Sequence, residues 1–240
     1  MTNDRMFPFI TKCWNPLGGE CLHKCRYCWM NNLKEKFPNL KSKYSGEPKI
    51  YPKELAKAAK FTKDDFVFVC DCTDLFGHWV PSEKIAQVLE VIAKSPAKFL
   101  LLTKNPQRYG DLILSGVSIP GNCVLGCTVE SDIDHIISGQ PVQHRLTEML
   151  NLSAIGYPVM LSIEPIMEFS FKFIERIAQI KPKFVAVGYD NYNNGLPEPS
   201  LKKAQFLMER LAASGITVYA KTLREKNELE NCEFKGQDKQ

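Results

Sequence analysis

Short apolar runs alternate with longer amphipathic ones along almost the whole chain, and this alternation restricts the fold more than any other feature. Runs rich in β-branched and aromatic residues read as strands at 9–14 (FITKCW), 66–70, 98–103, 122–129, 158–163, 183–188 and 216–220. Stretches with helical periodicity lie between them at 51–60, 81–94, 105–114, 143–150, 171–180 and 200–214. Ser82, behind Pro81, and Ser200, behind Pro199, read as N-caps, and Gly215 as a helix stop. Strand, helix, strand, repeated six or seven times, demands parallel strands joined by helical crossovers. The strands are apolar nearly throughout, as strands buried on both faces must be. Two α/β architectures satisfy this: an open doubly wound sheet, or a partial or full parallel β/α (TIM-like) barrel of six to seven strands. The first strand is not followed by a glycine-rich phosphate loop, which weighs against the dinucleotide-binding sheet. No linker divides the chain, so residues 1–240 read as a single domain, with a loop at about 14–30 and a C-terminal tail at about 223–240.

Composition narrows the class. With 240 residues and 44% hydrophobic content the chain can bury one sizeable core. No apolar run approaches the roughly eighteen residues needed to cross a bilayer, and the start, MTNDRMFPFI, lacks the apolar stretch of a secretory signal. Nine cysteines, an odd count, argue against a disulfide framework and for reduced thiols in the cytoplasm. The net charge of +4 is uneven: residues 24–63 carry eleven Lys or Arg against three Glu, and the remainder is net acidic. That stretch reads either as a solvated lysine-rich face or, with Phe37, Tyr44, Tyr51 and Phe61 interleaved, as a footprint for phosphates.

Chemistry in β/α folds gathers at the C-terminal ends of the strands, and here those ends are polar: CDCTD (70–74), TKNP (103–106), TVESD (128–132), SIEP (162–165), GYDN (188–191) and AKT (220–222). Six polar ends in a row point to a shared pocket for a polar or charged ligand. The loop after the first strand belongs to the same rim and holds Cys21, Cys25 and Cys28, spaced C-x3-C-x2-C. Thiolates bind zinc or iron–sulfur clusters. His23 is available as a fourth zinc ligand, but it lies inside the first gap, unlike a zinc finger. Three thiols alone suit a four-iron cluster with one iron left open. The literal GGE at 18–20 precedes the cysteines and reads as a flexible approach to them.

The motif CLHKCRYC, with an aromatic before the third cysteine and on the loop after the first strand, resembles the radical S-adenosylmethionine superfamily. The order WNPLGGEC, VCDCTDLFGHWVP, LLTKNPQRY, LGCTVES, LSIEP and VAVG resembles the phage-associated and prokaryotic radical-SAM-like proteins of unassigned function, distant relatives of the spore photoproduct lyases, over residues 9 to 222. The resemblance implies a radical-SAM-type barrel in which Cys21, Cys25 and Cys28 ligate a 4Fe–4S cluster. S-adenosylmethionine would chelate the fourth iron, and its reductive cleavage would give a 5′-deoxyadenosyl radical that takes hydrogen from a substrate. It implies Tyr27 near the adenine; Thr73 and Asp74, with Asp71 next, at the methionine ammonium; and Thr103 and Lys104 at the carboxylate or ribose. Thr128 and Glu130 would meet the ribose hydroxyls, while Ser162, Glu164 and Lys221 are further candidates for cofactor or substrate. Family relatives carry a Gly-Gly-Glu-Ser-like stretch where this chain has GYDN, so no role passes to Asp190. Cys72 and Cys127 are candidate hydrogen-atom donors. Otherwise Cys70 and Cys72, like Cys123 and Cys127, read as pairs of buried structural thiols, and Cys13, Cys232, His78, His135 and His144 carry no chemical assignment. A flavodoxin- or ferredoxin-type electron donor is implied. Two substrate classes fit, nucleic acid (a DNA lesion or an RNA base) and a small molecule or peptide. The alternative outside enzymology is a zinc or iron–sulfur protein that uses the rim for partner binding.

Overall fold

The computed structural model describes residues 7–133 and 141–224. His135, Cys232 and the tail beyond residue 224 lie outside the described residues. In chain order the elements are β1 (Lys12–Trp14), β2 (Leu17–Gly18), α1 (Trp29–Lys36), α2 (Pro38–Lys43), β3 (Lys49–Ile50) and α3 (Pro52–Leu55), which runs into a 3-10 turn at Ala56–Lys60. Strand–helix units follow: β4 (Phe66–Val69) and α4 (Ser82–Ala93), β5 (Lys98–Thr103) and α5 (Gln107–Leu114), β6 (Cys123–Thr128) and α6 (Val142–Ala154). The last are β7 (Val159–Ile163) and α7 (Lys172–Ile180), β8 (Phe184–Val187) and α8 (Leu201–Ala213), and finally β9 (Thr217–Ala220).

Seven strands pair in parallel in the order β1-β4-β5-β6-β7-β8-β9, forming a curled partial β/α barrel. The pleat sorts each strand between two cores. Val67, Val69, Phe99, Leu101, Leu125, Leu161 and Val185 face the helices, whereas Phe68, Leu100, Met160 and Ala186 face the concave interior. The helices meet the outer core through regular stripes, such as Ile85, Val88, Leu89 and Ile92 of α4.

Three expectations change. The first strand begins at Lys12, because residues 7–10 turn across the concave face instead of extending it. Phe9 there stacks against Phe66, Phe184 and Tyr219, with centroids 5.6, 4.7 and 4.9 Å away, and so bridges from β4 to β9, whose edge is not paired with β1. Ser82 is not an N-cap: Pro81 holds that position, and the Ser82 hydroxyl accepts from Arg108 instead. The glycines of GGE are not flexible. A Cβ on Gly18 would meet the Lys43 carbonyl at 2.4 Å, and Gly19, at φ +107°, packs against Pro48. Gly18 lies opposite Lys49 in the antiparallel β2–β3 pair, which ties the two ends of the α1–α2 excursion together, and Gly19 follows it. Ser200 does cap α8, accepting from the Lys203 amide at 3.2 Å, and Gly215 follows its end at φ +81°.

Candidate active site

The long excursion between β1 and β4 folds over the strand ends and brings the three cysteines to them. Cys21, Cys25 and Cys28 line one cavity of about 310 Å³, together with Asp71, Cys72, Thr73 and Asp74 beyond β4, Thr103 and Lys104 at the end of β5, and Thr128 at the end of β6. Trp29, Met30 and Lys34 of α1, and Tyr44 after α2, form the opposite wall. Among the described residues no three His, Cys, Asp or Glu side chains converge to the geometry of a single metal ion. Burial, then the Asp74 charge, pushes the Cys21 thiol up to about 12. Cys28 is also raised by burial, with Lys34 opposing. In this pocket Cys21 and Cys28 hold their protons unless a metal displaces them.

Two buried anchors fix the cysteine loop. His23 is one. Its Nε2 lies 2.7 Å from Asp74 Oδ2, and its ring meets Trp79 edge-on at 4.9 Å. Asp74 Oδ2 also accepts from the Thr103 hydroxyl at 2.8 Å and the Lys104 amide at 3.0 Å, and Oδ1 accepts from the Phe76 amide at 2.9 Å. Burial alone would raise this carboxyl; the bond from His23 and the others outweigh it and hold it below its ordinary value. Four contacts use the acceptor capacity of a carboxylate. Asp74 therefore ties the loop to β4 and β5 rather than presenting itself to a ligand ammonium, and His23 is an anchor rather than a fourth metal ligand.

Tyr27 is the other anchor. Its hydroxyl donates to Glu130, and Lys104 Nζ donates both to Tyr27 and to Glu130 while sitting 4.7 Å from the Tyr27 ring centroid. Beneath them Arg145 of α6 donates to Glu130 Oε2 at 2.9 Å and to the Thr128 carbonyl. Arg145 is 2% exposed, and its Nε has no hydrogen-bond partner among the described residues. Burial would raise Glu130, but Lys104 and Arg145 outweigh it and bring it down to about 2. Tyr27 moves the other way, well above its ordinary range, through burial and the Glu130 charge.

The sign for stability follows. A carboxylate lowered by folding stabilises the fold above its ordinary value of 4.5, and the contribution drains away as pH falls from there toward about 2. Urea midpoints measured between pH 7 and 2.5 are expected to fall more steeply for the natural chain than for Glu130→Gln across that window. Parallel acid profiles would show that Glu130 carries no such linkage.

The remaining sequence candidates divide by face. Asp71 and Cys72 are partly exposed on the cavity wall. Asn15 Nδ2 donates to Asp71 Oδ1 at 2.5 Å, and Cys72 Sγ lies 3.5 Å from the same oxygen. The Tyr44 hydroxyl hydrogen-bonds the Cys72 thiol. The hydroxyls of Thr73 and Thr128 reach the cavity with no partner among the described residues. Cys127, in register with Thr103 and Leu161 and packed in the outer core with Cys123, faces the helices. As a hydrogen-atom donor it is on the wrong side of the sheet. Ser162, Glu164 and Lys221 do not line the cavity. Glu164 and Lys221 neutralise each other, Nζ lying 2.7 Å from both carboxylate oxygens, with Asn191 on Oε1 at 3.1 Å. Asp190 accepts from the Tyr192 and Asn194 amides and thereby shapes its own loop. Cys13 is exposed on β1. Sequence reasoning missed Arg145 and Asn15, and named Tyr44 only among the aromatics of the basic stretch. Only Arg145 left a signal, as a cation inside the buried stripe Val142, Leu146, Met149 and Leu152.

A family model, described as "Protein of unknown function (DUF5131)", matches residues 6–187, most of the chain and both halves of this cavity. The chain belongs to the DUF5131 family. No curated protein matches it. Among solved structures, DUF5131 geometry resembles Streptococcus suis SuiB. The crystal structure of SuiB bound to precursor peptide SuiA aligns with a TM-score of 0.61 and 11% identity, over 92% of this chain and 51% of that one. SuiB bound to S-adenosylmethionine aligns with a TM-score of 0.55 and 9% identity, over 92% and 49%. At such identity the likeness establishes the fold, and this chain spans about half the length of SuiB.

Proposed function

We propose that this protein is a radical S-adenosylmethionine enzyme. The observation that carries the reading is the sharing of one cavity by Cys21, Cys25 and Cys28 with the polar ends of β4, β5 and β6. The donor set fits a 4Fe–4S cluster: one loop brings three thiols, His23 beside them is engaged with Asp74, and the cavity's other thiols, Cys70 and Cys72, belong to the separate turn after β4. The solved complex of the structurally similar SuiB with S-adenosylmethionine supports the choice of cofactor.

When bound, the pair of cofactors would supply one-electron cleavage of the sulfonium and a 5′-deoxyadenosyl radical able to abstract hydrogen. The chain's own residues place and shield it. Asp71 is the carboxylate left facing the cavity for an ammonium, and Thr73 and Thr128 offer hydroxyls to polar groups. Tyr27, held through its hydroxyl by Glu130, gives the loop a fixed aromatic wall. Cys72 is the thiol placed to return a hydrogen atom to a substrate radical, with Tyr44 beside it. A flavodoxin- or ferredoxin-type protein would deliver the electron.

Anaerobic reconstitution tests this. The protein should take up about four irons and four sulfides per chain, and with dithionite should convert S-adenosylmethionine to 5′-deoxyadenosine. A colourless product holding one zinc, or a cluster whose electron paramagnetic resonance spectrum ignores S-adenosylmethionine, would sink the reading.

A further inference from the structure

The cavity wall opposite the strands is made by the most basic part of the chain. Residues 24–63 hold eleven Lys or Arg against three Glu, a net of +8 within a total of +4, so the rest of the chain stands at −4. This segment is the excursion that closes the cavity: Lys24, Trp29, Met30, Lys34 and Tyr44 are on its lining. Its charge continues outward from there. Lys36 ends α1, Lys41 lies near the end of α2, and Lys49 and Lys53 follow, all exposed, whereas the exposed Lys60 and Lys63 lead into Asp65 at the N-terminal ends of the strands, away from the cavity. Among the described residues none of these six has a carboxylate partner; only Lys57 does, in Glu54. Phe37, at the elbow between α1 and α2, is 48% exposed.

The placement of charge tells a small anion from a long one. Lys104 inside the pocket is committed to Glu130 and Tyr27. Lys24 and Lys34 stand on the lining, and Lys36, Lys41, Lys49 and Lys53 continue the charge outside it, a row spread over some thirty residues of chain that no small molecule could contact at once. A cavity of about 310 Å³ is at the lower end of small-ligand sites, of about 300–1,000 Å³, so cluster and cofactor leave little of it free. The substrate must then offer one unit at the mouth while the rest of it lies on the rim. A phosphate backbone meets that wall with charge, an exposed aromatic gives a base a stacking surface, and enzymes that act on a base draw it out of its stack.

We infer that the substrate is a nucleic acid, its backbone held by Lys36, Lys41, Lys49 and Lys53 and one nucleotide presented at the cysteine-lined cavity. This rests on the reading under Proposed function and names the substrate class for that site.

The test uses the reconstituted holoprotein and fluorescein-labelled 20-nucleotide single-stranded DNA and RNA, with polyglutamate and vesicles of phosphatidylserine and phosphatidylcholine as comparison polyanions. Anisotropy at 50 mM salt should give micromolar affinity for at least one strand, with a log–log salt slope near −2 or steeper, as about three phosphate contacts require. Lys36→Glu, Lys41→Glu, Lys49→Glu and Lys53→Glu combined should weaken binding at least about tenfold and flatten the slope by about one per phosphate-contacting lysine. These positions avoid the cavity wall, so binding of radiolabelled S-adenosylmethionine by equilibrium dialysis should not change. The four Lys→Gln replacements serve as a second variant if charge reversal disturbs the short helices, and should weaken binding in the same direction. Absence of strand binding, equal binding by the folded variants, or equal affinity for polyglutamate or the vesicles would overturn the inference while leaving cofactor chemistry standing. A chain that binds strands but neither cluster nor S-adenosylmethionine would overturn the enzyme reading and this substrate assignment with it.

Discussion

Alanine at Cys21, Cys25 or Cys28 is expected to drop reconstituted iron from about four per chain to below one, and to abolish formation of 5′-deoxyadenosine. The effect should be all-or-none because the loop supplies three donors and no spare: His23 is held by Asp74, and the other thiols on the cavity, Cys70 and Cys72, belong to β4 and its following turn. The fold should survive. The loop is fixed by His23–Asp74 and by Tyr27–Glu130, not by the thiols, so thermal midpoints measured without metal should stay near that of the natural chain. Cys123→Ala is the internal comparison. Cys123 is buried on the helix-facing side of β6, and its loss should lower stability slightly while iron content stays intact. Iron and sulfide analysis on all four variants decides the matter. Retention of a full cluster in any of the three loop variants would mean that the loop is not the ligand set.

Arg145→Met is expected to destabilise the protein by about 3–5 kcal/mol, the usual cost of stranding one partner of a buried ion pair. Arg145 is almost fully enclosed by α6 and the sheet, and its removal leaves Glu130 Oε2 and the Thr128 carbonyl without their donor. Methionine matches much of the arginine stem in length and apolar character, so the loss would report charge rather than volume. For a chain of this size the melting temperature should fall by on the order of 10 °C. Joining Glu130→Gln to Arg145→Met should cost clearly less than the sum of the two single changes, because the carboxylate that Arg145→Met leaves short of a donor is the one that Glu130→Gln neutralises, while Lys104 loses its carboxylate in the Glu130 single and the double variant alike. Calorimetry on the three variants measures the cycle. A single-variant loss below about 1 kcal/mol, typical of exposed pairs, would show that Arg145 is dispensable to the Glu130 network.

The parallel architecture was open to reading because each strand and helix carries its own periodic signal. Most predicted strands lie within a few residues of the observed ones, since the apolar pattern reports which faces are buried. Helices α1 and α2 escaped detection for the same reason. Only Met30 of α1 and no residue of α2 is buried, so neither has an apolar stripe to display. The site divides in a similar way. The three cysteines and the carboxylates and hydroxyls at the strand ends could be picked out by chemistry and spacing. Whether Asp71 or Asp74 faces the ligand could not, because the choice depends on donors contributed by His23, Thr103 and Lys104, as many as 51 positions away along the chain.

Sequence alone was enough to establish a parallel β/α chain with a three-thiol loop on the rim formed by its strand ends, because strand periodicity and cysteine spacing are local properties. Tertiary structure alone decided that Asp74 is an anchor, that Cys127 faces the helices while Cys72 meets the cavity, and that Arg145 sits beneath Glu130. Those outcomes turn on which side of a pleat a residue occupies and which distant groups use up its hydrogen bonds, and both are settled only when the strands pair in register.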